Sequence, residues 1–249
     1  WGAVASMYGV CKQVDPQLEI FDLSHTIEQF NTLAASECLQ YTVKYWPEGT
    51  VFVSVVDPGV GTARKACVAK TKNGYYIVTP DNGTLTHIKE MYGIEEVREI
   101  DETVNRYPGS EKVNVFHGRD LFAYCGARLA AGVITYEEVG EEYPVEEIVI
   151  HELSYGQYGD GWAEGEVGEA LEQFGNISTN ILNDDFEKTG IKEGDMVRIC
   201  IKNGAEAVYD SPVLYHRSFG FAEIGDPVLF NGLASFVALG LNQRSFAAK

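Results

Sequence analysis

Cations are scarce in this chain. Its 249 residues carry 19 Lys and Arg against 37 Asp and Glu, for a formal net charge of -18. Such a surface repels phosphate backbones and anionic lipid, so neither nucleic acid nor a membrane is an expected partner. The excess of one sign keeps a protein dissolved and by itself points to no chemistry. Long apolar runs are missing too. Nothing approaches the roughly 18 apolar residues of a membrane span, and the N-terminus shows no basic segment followed by an apolar stretch as in a signal peptide. Cysteines are few and scattered: Cys11, Cys38, Cys67, Cys125 and Cys200 are odd in number and include no C-x-x-C pair. They read as reduced thiols, and the cytoplasm is the expected compartment.

Several catalytic signatures are also absent. Gly59-Val60-Gly61 is not followed by the glycine spacing of a dinucleotide fingerprint, nor by the Gly-Lys-Ser/Thr of a phosphate loop. His25, His87, His151 and His216 show no two-histidine helical spacing and no Cys/His cluster, so no metal site is expected. No Gly-x-Ser-x-Gly elbow occurs. The expectation is chemistry that needs neither a metal nor a cofactor.

At 45% hydrophobic residues the chain can bury a core without staples. Val4 to Val14 reads as a helix, Glu19 to Leu23 as a short strand, and Thr32 to Tyr45 as a helix that Trp46-Pro47-Glu48-Gly49 stops. Thr50 to Val56 is nearly continuous in apolar residues, as in a strand covered on both faces. Val68 to Thr71 and Tyr75 to Val78 flank Lys72-Asn73-Gly74 and predict a hairpin. Asp120 is placed to cap a helix over Leu121 to Ala131. This alternation predicts an α/β N-terminal domain over residues 1–155 with a central, mostly parallel sheet. After the glycine-rich stretch 154–161, short strand-like runs begin: Trp162 to Leu171, Ile177 to Ile181, Met196 to Ile201, Ala205 to Tyr209, Pro227 to Phe230 and Phe236 to Leu241. Asn203-Gly204 and Asn231-Gly232 are hairpin signals, and residues 160–249 are expected to form a smaller all-β, barrel-like domain.

Three apolar runs of the first half end in glycine-rich polar clusters. Thr50 to Val56 leads into Asp57-Pro58-Gly59-Val60-Gly61 with Arg64 beyond, Tyr75 to Val78 into Thr79-Pro80-Asp81-Asn82-Gly83, and Val113 to Phe116 into His117-Gly118-Arg119-Asp120. In an open α/β sheet ligands bind outside the carboxyl ends of strands. Taken singly, Asp57 could merely organise a turn, Arg64 could be a surface charge, and His117 could be structural. Together they could share a pocket. A carboxylate beside a guanidinium stays ionised, accepts a hydrogen bond and orients a water, while the imidazole can share that proton.

Five stretches resemble the S-adenosyl-L-methionine hydroxide adenosyltransferases, relatives of the bacterial fluorinase and chlorinase. They are Ile20-Phe21-Asp22-Leu23-Ser24-His25, Val55-Val56-Asp57-Pro58-Gly59-Val60-Gly61, Thr79-Pro80-Asp81-Asn82-Gly83, Phe116-His117-Gly118-Arg119-Asp120 and Phe174-Gly175-Asn176-Ile177-Ser178-Thr179-Asn180-Ile181. The resemblance implies an α/β domain followed by a β-barrel, in a homotrimer whose sites lie between one subunit's N-terminal domain and its neighbour's C-terminal domain. It implies that water or hydroxide attacks ribose C5′ of S-adenosylmethionine, giving adenosine and methionine without a cofactor. The family's Asp, Arg and His fall on Asp57, Arg64 and His117. Phe30 falls where an aromatic packs on the ribose; Phe174, Asn176 and the backbone near Gln243 fall at adenine-contacting positions. Glu172 stands where relatives carry an Asp against the methionine amine. Asn82, Phe116, Gly118 and Ser178 lie in the same matching stretches as further substrate-binding positions.

The chain also departs from the resemblance. The family begins with a strand bearing a Thr-Asp-Phe-Gly type motif that binds the ribose hydroxyls, and Trp1 matches a position within the helix that follows it, as in a truncated chain. Leu233-Ala234-Ser235-Phe236 replaces the usual segment near the methionine carboxylate. Halogenases of the superfamily carry a Tyr-Pro type motif in place of Asp-Pro-Gly, and the fluorinase has a long insertion before the strand leading into its Pro-Asn-Asn-Gly motif, where this chain has a short turn at Lys70-Thr71-Lys72-Asn73-Gly74. Hydrolysis is therefore expected over halogenation; a binding protein without turnover is the other alternative.

Overall fold

Asn73-Gly74 sets the topology of the first sheet. Gly74 adopts φ +84°, open to glycine at little steric cost, and closes a tight turn by donating from its N–H to the Thr71 carbonyl at 3.0 Å. This computed structural model describes residues 2–171, 174–232 and 235–248, and it divides into two units, Trp1–His151 and Glu152–Lys249.

In the first unit the turn joins β2 (Ala66–Thr71) to β3 (Tyr76–Pro80) as an antiparallel pair with Val68 opposite Val78. β1 (Val51–Val53) runs parallel to β3 on one side, β4 (Ile94–Glu99) antiparallel to β2 on the other, and the order is β1-β3-β2-β4. The sheet is thus mixed among the described strands, not mostly parallel as expected. The reason is the hairpin: a tight turn can only reverse the chain, whereas parallel neighbours need a long crossover.

Side chains alternate across this sheet. Cys67, Ala69 and Ile77 pack on one face with Leu39 and Val43 of α2 (Thr32–Val43), Ile88 of α3 (Thr86–Met91) and Leu85 just before α3. Val68 and Val78 pack on the other face with Leu121, Phe122 and Cys125. α1 (Ala3–Val14) lies over Ala123 and Ala127 through Cys11. A short α4 (Glu102–Asn105), N-capped by Asp101, follows β4. α5 (Tyr124–Ala130) is preceded by a wider, π-type turn over Gly118–Ala123. Helicity therefore starts three residues earlier than predicted. Asp120 is not a cap: it sits buried in the first turn with its carboxylate on the Arg119 guanidinium.

Two expected strands do not form. Glu19 to Leu23 makes no ladder with any described strand, and a pocket of about 220 Å³ separates it from β1. An extended segment without a backbone partner is not a strand, whatever its propensity. Val113 to Phe116 is an irregular loop; Val115 and Phe116 are exposed, so no face of it is buried as a strand requires.

The second unit has a two-stranded ribbon, β5 (Gln157–Gly159) with β6 (Trp162–Glu164), and a six-stranded sheet. The sheet comprises β7 (Val167–Leu171), β8 (Asn176–Leu182), β9 (Met196–Asn203), β10 (Glu206–Tyr215), β11 (Pro227–Asn231) and β12 (Phe236–Leu241), in the order β7-β8-β12-β11-β10-β9. It curls into a half-barrel around Ile177, Val213, Leu229, Val237 and Leu239. Asn203-Gly204 turns the chain from β9 into its antiparallel neighbour β10, and β11, which ends at Asn231, pairs antiparallel with β12. A single helical turn, α6 (Asn183–Glu187), adds to the strands, so the unit is not purely β. The stretch Trp162 to Leu171 divides at Gly165 between the two sheets. No helix among the described residues is long and apolar enough to cross a membrane.

Candidate active site

Asp57 and Arg64 are brought together by the turn that follows β1. Val60 N–H bonds back to the Asp57 carbonyl at 3.3 Å and Thr62 N–H to the Gly59 carbonyl at 3.1 Å, which folds the chain so that Arg64 returns over its start. Two glycines permit this. A Cβ on Gly59 would sit 3.1 Å from Arg64 Cγ, and Gly61, at φ +76°, leaves only 2.9 Å between a Cβ and the Asn114 carbonyl. The guanidinium then grips the carboxylate in fork geometry: Nε donates to Oδ1 at 2.9 Å and Nη2 to Oδ2. The Arg64 and Asp57 side chains are 10% and 5% exposed respectively. Such an enclosed pair is screened little, and loss of one partner would leave a buried charge.

His117 completes the group from another element. It stands at the N-terminal end of the π-type turn and is 5% exposed. Arg64 Nη2 donates to its Nδ1 at 2.9 Å. A guanidinium has only donors, so Nδ1 must accept; the imidazole is neutral and its proton sits on Nε2. Nε2 is buried and has no hydrogen-bond partner among the described residues. The His117 pKa lies below its ordinary value, chiefly because burial penalises the charged ring. Arg64 and Arg106 push the same way, and Glu102 and Asp57 oppose them. The ring presents one buried N–H that can hold an oxygen.

The three residues singled out in the sequence therefore meet. Strand ends account for only part of the convergence, since His117 arrives from a loop. The neighbours that frame the group were less legible. Phe122, fully buried, supports the Arg64 guanidinium with its ring centroid 5.2 Å from Cζ. Asn82 donates to the Val56 carbonyl at 2.8 Å and accepts from Thr84 Oγ1 at 2.8 Å, so its amide fixes the backbone that delivers Asp57. Asp81 accepts from Tyr143 Oη and from Val149 N–H, both at 2.9 Å, tying the end of the unit to the same motif. The pattern Pro-Asp-Asn-Gly marks a turn, yet nothing in it says which backbone its side chains will hold.

Gly118 faces Val55 with room for a methyl group at 3.4 Å. Phe116 is exposed, with Arg119 stacked on its ring. Phe30 is 73% exposed and adopts φ +70°, and no described contact joins it to the trio. A non-glycine residue held there stores strain of a kind concentrated at ligand sites.

In the second unit Phe174, Asn176 and Gln243 gather at one end of the six-stranded sheet. Gly175 (φ +70°) accepts from Phe246 N–H at 2.6 Å, which sets the segment before β8 against the turn after β12. Phe174 is 62% exposed there. The Asn176 side chain lies over Gly240, in space that a Cβ would occupy, and Gln243 adopts φ +55° in the facing turn. Ser178 stands further along β8, opposite Ala238 of β12. Glu172 lies outside the described residues. Besides Phe30 and Gln243, Ser235 is the other non-glycine residue with positive φ among the described residues, and it belongs to the divergent 233–236 segment. Among those residues no group of three His, Cys, Asp or Glu side chains is arranged to hold a metal ion.

Comparison with known proteins places this geometry in a family. Residues 1–140 match the model of the SAM hydroxide adenosyltransferase N-terminal domain, and residues 165–249 that of the C-terminal domain. The (R)-S-adenosyl-L-methionine hydrolase of Methanocaldococcus jannaschii is 36% identical over 217 residues, covering 83% of this chain and 72% of that protein. A fluorinase of Actinoplanes is 26% identical over 269 residues, covering 98% of this chain and 88% of its own. A crystal structure of an uncharacterized conserved protein from Thermotoga maritima superimposes with a TM-score of 0.89 at 34% identity, over 100% of this chain and 90% of that one.

Proposed function

Because the chain belongs to the SAM hydroxide adenosyltransferase family, we propose that it hydrolyses S-adenosyl-L-methionine to adenosine and L-methionine. A water or hydroxide oxygen attacks ribose C5′ in line with the sulfonium. The C5′–S bond breaks, its electron pair goes to sulfur, and methionine leaves as a neutral thioether; a water proton passes through Asp57 to solvent. The leaving group needs no acid, and the reaction needs no cofactor. Following the M. jannaschii relative, the substrate is the (R) epimer at sulfur.

The observation that carries this reading is the state of His117. With Nδ1 occupied by Arg64 and Nε2 buried and unpartnered among the described residues, the ring offers a single N–H toward an oxygen nucleophile. His117 then holds the water as a donor, while Asp57, oriented by the Arg64 fork, accepts from it. Placement of a nucleophile can contribute about 7 to 11 kcal/mol. General-base assistance of 10²- to 10⁴-fold corresponds to about 3 to 5 kcal/mol. Geometry therefore outweighs the basicity of Asp57.

The substrate positions Phe30, Phe116 and Gly118 are in the first unit, and Phe174, Asn176, Ser178 and Gln243 in the second. The family resemblance supports a homotrimer in which each site takes its trio from one subunit and its adenine contacts from the next. Five scattered cysteines with no C-x-x-C pair support a cytoplasmic location. Incubation with each sulfonium epimer and chromatography of the products test the activity. Adenosine and methionine in equal amounts are expected. A 5′-halogenated nucleoside as the main product in chloride or fluoride would make the protein a halogenase, and adenosine binding without methionine release would make it a binding protein.

A further inference from the structure

One arginine outside the trio holds the loop on which the trio's geometry depends. Arg106 follows α4 and its side chain is 8% exposed. Its guanidinium donates to the Val113 carbonyl at 2.6 Å and to Ser110 Oγ at 3.3 Å, and reaches the Ser110 carbonyl at 3.4 Å and Asn114 Oδ1 at 3.5 Å. The Glu102 carboxylate neutralises it from the preceding turn at 2.5 Å. Residues 107–114 contain no helix or strand; Tyr107 N–H bonds the Asp120 carbonyl and local turns bond Ser110 to Tyr107 and Val113 to Ser110, and Arg106 is the side chain that ties Ser110, Val113 and Asn114 together.

The clamped loop meets the trio on two sides. The Asn114 carbonyl packs against Gly61, at 2.9 Å from where a Cβ would be, and so backs the turn between Asp57 and Arg64. Three residues later the same chain delivers His117, whose Nδ1 must remain 2.9 Å from Arg64. A shift at Val113 or Asn114 would move both the Asp57 turn and the imidazole. Lysine cannot substitute, since a single ammonium point charge lacks the planar fork that serves several acceptors at once.

We propose that Arg106 is a positioning residue for the Asp57, Arg64 and His117 group, acting through the 107–114 loop; the proposal rests on reading that group as the hydrolytic centre. It touches neither the nucleophile nor the ribose. Its substitution should therefore lower kcat with little change in KM, and should alter the environment of His117 without unfolding the chain.

Arg106→Lys and Arg106→Ala in the full chain, with ¹⁵N-labelled histidine, provide the test. Steady-state kinetics are measured at a temperature where thermal melting shows each variant folded. For Arg106→Lys, kcat is expected to fall at least about tenfold, the scale of a sub-ångström to ångström misplacement, with KM within about threefold. The His117 nitrogen resonances should move away from the wild-type pattern of a neutral, Nε2-protonated ring. Unchanged His117 resonances in both folded variants would overturn the proposal, as would unchanged kcat. The resonance readout needs no substrate: if the wild-type protein hydrolyses nothing, the functional reading fails while the spectra still show whether Arg106 positions His117.

Discussion

Arg64 Nη2 donates to His117 Nδ1 across 2.9 Å while the same guanidinium holds both oxygens of Asp57. One cation thus sets the state of two partners. It keeps the carboxylate ready to accept and the imidazole neutral, with its proton on Nε2. A protonated ring would place an N–H against an N–H at Nδ1 and add a second positive charge beside Arg64.

This relationship fixes the direction of the pH response. The His117 pKa is held below its ordinary 6.5 chiefly by burial, and burial also lowers that of His87. In the window between the folded value and 6.5 the unfolded chain binds more protons than the folded one. Stability therefore rises with pH through that window and is lost as pH falls from 6.5 past the folded values. Activity should follow the same direction, since only the neutral ring fits Arg64. Urea denaturation and kcat against pH check this; a His117 titration above 6.5 would contradict it.

Asp57→Asn and His117→Ala should each lower turnover at least about tenfold and leave adenosine affinity within a few-fold, because in the proposed reaction both handle the nucleophile. The amide is preferable to Ala at position 57, where full removal strands the buried Arg64 cation at roughly 3 to 5 kcal/mol. Calorimetric titration with adenosine, alongside turnover, separates the effects. Parallel loss of both would make these residues structural.

Gly61→Ala and Gly118→Ala should diverge. At Gly61 a side chain meets a left-handed backbone, disfavoured by about 1 to 2 kcal/mol, and crowds the Asn114 carbonyl at 2.9 Å. At Gly118 the closest neighbour is Val55 at 3.4 Å, an ordinary contact. Equilibrium unfolding should show a clear loss for the first and little for the second; equal losses would mean that the loop yields freely at Gly61.

A shared site predicts complementation. Asp57→Asn and Asn176→Ala subunits, each of low activity alone, should regain part of the wild-type activity after joint dissociation and reassembly, because some sites then receive both intact halves. Persistently low activity despite demonstrated subunit exchange would place the whole site within one chain.

Much of this was written in local sequence. Asn73-Gly74 and Asn203-Gly204 mark hairpins because the turn conformation is a property of two residues. Asp57, Arg64 and His117 stood out because Pro-Gly-rich turns after apolar runs leave polar side chains at a rim. What the sequence could not decide was pairing. Glu19 to Leu23 and Val113 to Phe116 have the composition of strands and form none, since a strand exists only where another backbone meets its hydrogen bonds. Nor could it show that Arg64 would bond Nδ1 of His117, that Asn82 would hold Val56, or that Arg106 would clamp the loop behind Gly61. Those contacts join residues distant along the chain, and only the packed tertiary structure brings their donors and acceptors within bonding distance.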